Sequence, residues 1–101
     1  MKIAIMHEHY DEKHLEKVVA EMKKLGAPTI KAVWMECYGH FAALEGCHRI
    51  RAAKCLGFEP EIEEIEYSED DTLEDVGCEG REYVTVSDIA DSSFGSTIFE
   101  F

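Results

Sequence analysis

Apolar and polar positions change period several times along the chain, and each change predicts an element. Lys2 to Met6 is short and β-prone and predicts an opening strand. From Asp11 to Leu25 the apolar residues Leu15, Val18, Val19, Met22 and Leu25 fall at helical spacing. Gly26 and Pro28 then end that helix, as a C-cap glycine followed by proline should. Ile30 to Cys37 reads as a second strand, with Ile30, Ala32 and Trp34 alternating against Lys31. Tyr38-Gly39-His40 makes a hairpin turn, and Phe41 to Leu44 returns as the next strand. Gly46 breaks it. Cys47 to Leu56 is a second helix, with Ile50, Ala53 and Leu56 facing inward and Gly57 as its cap. Glu61 to Tyr67, carrying Ile62, Ile65 and Tyr67, is extended without strict alternation.

Beyond Tyr67 the pattern weakens. Ser68 to Gly80 is rich in acid and glycine and reads as a loop or a poorly ordered arm. Tyr83 to Val86 is a further strand candidate, after which Ser87-Asp88 would cap a short helix through Ala90. The tail carries Phe94, Ile98, Phe99 and Phe101. Such an apolar end is expected to dock on its own domain, or, as the alternative, to join copies of the chain in a homo-oligomer.

A length of 101 residues argues for one domain over 1–101, and an apolar share of 46% is enough for a core. No stretch approaches the roughly 20 apolar residues of a membrane helix. The opening run is too short and too polar for a secretory signal. Cys37, Cys47, Cys55 and Cys78 form no CxxC pair and read as reduced thiols in the cytoplasm. Cys37 and Cys55 are expected in the core and Cys78 on the surface; Trp34 is expected in the core.

Charge separates the two ends of the chain. Residues 1–58 hold nine Lys/Arg against seven Asp/Glu, whereas residues 59–101 hold fifteen acids and one basic residue, Arg81. Affinity for nucleic acid comes largely from Lys and Arg neutralising phosphates, so the acidic half argues against DNA as a partner. A small anion can still use a local basic site in the first half.

The segment from Phe41 to Ala53 offers such a site. A strand runs into Gly46, and a helix starts at once with Cys47-His48-Arg49. Backbone N–H groups at a helix start are unpaired, and the helix dipole favours an anion there. Gly46 lets a ligand approach the backbone. His48 and Arg49 add donors, and a guanidinium fork can bond two phosphate oxygens together. The plainer reading is an ordinary strand-to-helix turn with Arg49 and Arg51 solvated.

Glu45-Gly46-Cys47-His48-Arg49, followed by Ala52-Ala53 and Leu56-Gly57, resembles the glycine–x–His–Arg turn and helix of the ParB/sulfiredoxin superfamily. Pro28 to Trp34 looks like the proline-led strand before that hairpin. The resemblance covers about 1–67, and residues 68–101 form an acidic loop and C-terminal extension outside it, apart from a faint similarity of Thr85 to Ile89 to the end of sulfiredoxins. It implies an α/β (α+β) domain, a small mixed sheet with helices, whose strand–Gly–helix turn receives the phosphates of ATP, ADP or CTP.

Three branches differ in what they imply. Sulfiredoxins carry glycine–glycine–Cys–His–Arg at the turn, with the Cys as catalytic thiol for ATP-dependent repair of a sulfinic acid. Gly46-Cys47-His48-Arg49 matches, with Glu45 in place of the first glycine. A thiol at a helix start beside His and Arg is expected to be nucleophilic. The arginine that sulfiredoxins place near the end of the first strand is missing from Ile5-Met6-His7-Glu8. His14, Lys17 and Glu21 stand where their first helix supplies Lys, Ser and Thr to the nucleotide. Free-serine kinases place a catalytic Glu after a His before the first helix, and an acid before the turn's glycine. His7-Glu8 and Glu45 look similar. That resemblance implies Glu8 as base for a substrate hydroxyl, Glu45 for substrate or metal, and Gly46, Cys47, His48 and Arg49, with Lys17, toward the nucleotide. Cys47 departs from it, since those kinases have His there. ParB itself is a CTP-dependent DNA clamp, and the acidic balance and the absence of a helix-turn-helix argue against that branch.

The leading expectation is therefore phosphoryl transfer from ATP or ADP, with Mg²⁺, to a small hydroxyl metabolite. Sulfiredoxin-like repair and a non-catalytic nucleotide- or partner-binding module are the alternatives. His7 and His9, with Cys37, His40 or Cys47, match no zinc spacing well and are read as exposed histidines near a strand end.

Overall fold

The computed structural model describes residues 1–5, 10–78 and 84–101, with the backbone alone at residue 94. The chain runs β1 (Lys2–Ala4), α1 (Glu12–Leu25), β2 (Thr29–Met35), β3 (His40–Ala43), α2 (Cys47–Leu56), β4 (Glu61–Glu64), α3 (Val86–Ser92) and β5 (Ile98–Glu100). A single 3₁₀ turn, Ser93–Gly95, follows α3. The strands form one mixed sheet in the order β4-β2-β3-β1-β5. The β2–β3 hairpin is antiparallel, with Val33 opposite Ala42 and Trp34 opposite Phe41. β1 runs parallel to β3, and β4 parallel to β2. β5 closes the far edge antiparallel to β1, pairing Phe99 with Ile3.

Alternation along the strands sends two sets of side chains to opposite faces. On one face Ile3, Ile5, Ile30 and Ala43 pack with Cys47 and Ile50 of α2, and Phe41, Phe99 and Phe101 border them. α1 does not replace α2 on the sheet but lies against it. Its Met22 meets Ala52 and Ala53, whose small side chains let the two helices approach. On the other face Val33, Ala42 and Leu44 pack with Leu73, Cys78, Val86 and Ala90. None of the described helices is long and apolar enough to cross a membrane.

Both long helices keep their expected bounds, save that Asp11 is the cap of α1 and not its first residue, because their punctuation is local. Asp11 caps α1 by accepting the His14 N–H at 3.0 Å, and Gly26 ends it with its N–H on Met22 O. Gly46 and Gly57, both left-handed, bracket α2.

Several expectations need correction. Cys78 is buried rather than exposed, whereas Cys37 and Cys55 are exposed rather than core. Trp34 is 46% exposed, resting edge-on against Phe41 beyond the reach of α2. Of the two readings of the 68–78 segment, the structure has the loop and not the loose arm, with Asp71 and Asp75 as caps. Asp71 accepts the Ser68 N–H, and Thr72 and Asp75 bond each other's backbone N–H. This fixes Leu73 and Cys78 under the sheet, where burying a leucine stabilises by roughly 1.5–3 kcal/mol. β4 is shorter than expected and ends at Glu64, with the Ile65 N–H still donating to the Ala32 carbonyl at 2.9 Å. The strand expected at Tyr83 to Val86 falls partly outside the described residues. Thr85 makes one bridge to Thr72, and it, not Ser87-Asp88, caps α3 through the Asp88 N–H. The C-terminal tail is the fifth strand and docks on its own chain.

Candidate functional site

Gly46 sits at φ 76°, which favours glycine, and space requires it too. A Cβ there would lie 2.8 Å from Ile30 Cδ1. The chain thus turns sharply out of β3, past Leu44 and Glu45, and starts α2 with no side chain capping its first N–H groups. Arg49, one turn in, folds back toward this point. Its Nη1 donates to the Thr29 carbonyl at 3.0 Å, and its Nη2 lies 3.4 Å from Glu45 Oε1.

The start of α1 converges on the same corner. The Asp11 backbone N–H donates to His48 Nε2 at 3.0 Å. As an acceptor there, a neutral His48 ring carries its proton on Nδ1. His14 meets the His48 ring edge-on, with centroids 4.6 Å apart. The N–H bonds at the helix start, chiefly that from His14, hold the exposed Asp11 carboxyl below its ordinary value. The two helix N-termini therefore lie side by side; that of α1 is met by the Asp11 carboxylate, whereas that of α2 has no side-chain cap and its dipole favours negative charge.

Between α1 and the turn lies a cleft of about 780 Å³, within the range of small-molecule sites. α1 lines one side with His14, Val18, Glu21 and Met22, and Leu44 to Arg49 line the other. Pro28 and Gly77 also border it. Lys31 holds the Gly77 carbonyl through its Nζ at 3.1 Å, so the acidic half contributes a backbone edge to the cleft.

Glu45, Gly46, Cys47, His48 and Arg49 are thus brought together as the sequence suggests. Lys17 is exposed on α1 and does not line the cleft. Glu8 lies outside the described residues, as do His7 and His9. Cys47 is only 5% exposed and belongs to the apolar cluster of Ile3, Ile5, Ile30, Ala43 and Ile50. Cys37 lies in the hairpin turn. His40 packs on the opposite face from Cys47, bonded to Ser93 Oγ at 2.9 Å. Among the described residues no three His, Cys, Asp or Glu side chains gather as a metal site would require.

Sequence reading alone missed the Asp11–His48 link and the Glu45–Arg49 pair. The second had a signal, because an acid four residues before an arginine across a helix start is a recognised pairing distance. The first had none, since it joins positions 37 residues apart. Comparison with protein-family models, curated proteins and solved structures finds nothing that matches this chain.

Proposed function

We propose that this chain is a ParB/sulfiredoxin-like nucleotide-binding domain that transfers a phosphoryl group from ATP or ADP to a small hydroxyl metabolite. The observation that carries this reading is the N-terminus of α2, without a side-chain cap and with Arg49 folded back over it, on the wall of a cleft of nucleotide size. The phosphates would rest on the backbone of Gly46 to Arg49, with His48 and Arg49 as side-chain donors. Phosphoryl transfer relies mainly on positioning and charge stabilisation, so few groups suffice.

Mg²⁺ fits the donor set. Glu45 and Glu21 supply carboxylate oxygens at the cleft, and this ion takes its remaining ligands from phosphates and water. Bound there, it would neutralise charge on the phosphates. Glu8 is the proposed base for the acceptor hydroxyl, with Lys17 outside the cleft lining. The thiol-repair alternative needs Cys47 to meet a substrate; Cys47 borders the cleft, but it is only 5% exposed and packs among isoleucines, which favours the kinase reading.

The test is calorimetry with ADP and ATP, with and without Mg²⁺. Binding in the millimolar range or tighter is expected. Arg49→Ala should weaken it about 10-fold or more, the scale of a charge-assisted bond. A wild-type protein that binds no nucleotide at millimolar concentration would overturn the reading.

A further inference from the structure

Arg49 is already engaged before any ligand arrives. One guanidinium nitrogen is spent on the Thr29 carbonyl, and another faces Glu45. The side chain lies over the turn: a Cβ on Gly46 would come within 3.2 Å of Nη2 and 3.3 Å of Nε. An anion approaching the start of α2 therefore meets a guanidinium whose outward-facing partner is a carboxylate of its own chain.

We propose that Glu45 is a latch: it occupies Arg49 while the cleft is empty and is exchanged for a phosphate when nucleotide binds. This rests on the reading of the turn as a phosphate site. Both acceptors are oxyanions, so the exchange changes partners without changing the kind of bond. The Thr29 bond can persist and keep the side chain aimed. The pair is partly open to water, with the Arg49 side chain 40% and the Glu45 side chain 28% exposed. An i,i+4 pair of this kind holds by a factor of only about two, so a multiply charged phosphate displaces it. The exchange also biases the order. Nucleotide on Arg49 leaves Glu45 free more of the time, so the carboxylate is more available to a cation or acceptor substrate once nucleotide has bound.

The test is a titration, in the absence of Mg²⁺, of wild type, Glu45→Gln, Arg49→Ala and the double variant with pyrophosphate and with ADP. Circular dichroism checks each fold, and Arg49→Lys serves if Arg49→Ala does not fold. Glu45→Gln should bind roughly 3- to 10-fold tighter, by losing a competitor and a nearby negative charge. The gain should shrink in the Arg49→Ala background to the part that the lost charge alone supplies, because the latch acts only through Arg49. Glu21→Gln, which removes the same charge from the cleft without touching Arg49, should gain less. An equal gain in both Arg49 backgrounds would show general repulsion and overturn the latch. No gain in Glu45→Gln, while the wild type binds through Arg49, overturns the latch and leaves the nucleotide reading standing. Binding by neither wild type nor Glu45→Gln overturns both.

Discussion

Residues 1–58 and 59–101 build one sheet in opposite ways. The first stretch supplies its three central strands, both long helices and almost all of the cleft lining, with Glu21, Glu45 and Arg49 as its charged residues. The second supplies the two outer strands, β4 and β5, and much of the cover on the far face. Its acids do not gather at a site. Glu61, Glu63 and Glu64 line an exposed edge, where charge discourages pairing with another chain. Asp71 and Asp75 cap turns. The contrast teaches that a strongly negative segment can be a structural part, its charge spent on edges and turns while a few apolar residues between the acids reach the core.

The sharpest way to break this comparison is Leu73→Ala. If the acidic half is integral to the fold, the substitution should cost about 3 kcal/mol, in the range of buried leucine truncations, and lower Tm by 10 °C or more. Leu25→Ala, in the basic half but 84% exposed, should change stability little. A denaturation series comparing the two variants checks both, and equal, small effects would return the acidic stretch to a loose arm.

A smaller effect is expected from pH. His40 joins β3 to the end of α3 through Ser93, and burial first, then Lys2, pushes its pKa below the ordinary 6.5. The folded state thus binds a proton less readily than the unfolded chain. This contribution to stability is complete above about pH 6.5 and is lost as pH falls toward the lowered value. Urea midpoints at pH 7.5, 6 and 5 should fall for the wild type, and the His40-dependent part of that fall should disappear in His40→Gln. The smallest expected effect is none. Double-stranded DNA at physiological salt should not be retained in a gel shift, whereas salt-sensitive micromolar binding would show that the acidic half leaves the basic one free to act.

Legibility followed range. The bounds of α2 and the end of α1 could be read because glycines mark them within a few residues, whereas Asp11, read as helical, is the cap before α1. The turn from Glu45 to Arg49 was legible for the same reason. Burial was not, where it depends on distant partners. Trp34 alternates correctly, yet it points to the face opposite Val33 and Met35, away from α3, and stays half open. Cys78 sits in a sequence of acids and looks exposed, but the Thr72–Asp75 turn delivers it to the core. β5 has no local pattern at three residues, and only its pairing with β1 makes it a strand.

That pairing bears on how the chain reaches its fold. Ile3 pairs with Phe41 on one side and Phe99 on the other. The longer loop costs only about 0.8 kcal/mol more to close, since closure entropy grows with the logarithm of length. Order of appearance separates the two partners more than entropy does. During synthesis β1 can dock on β3 long before β5 exists, and until then Lys2 to Ala4 present an unpaired, largely apolar edge of the kind that recruits other chains. The last strand thus ends a period of exposure. A chain deprived of it would be expected to lose solubility before it loses its cleft.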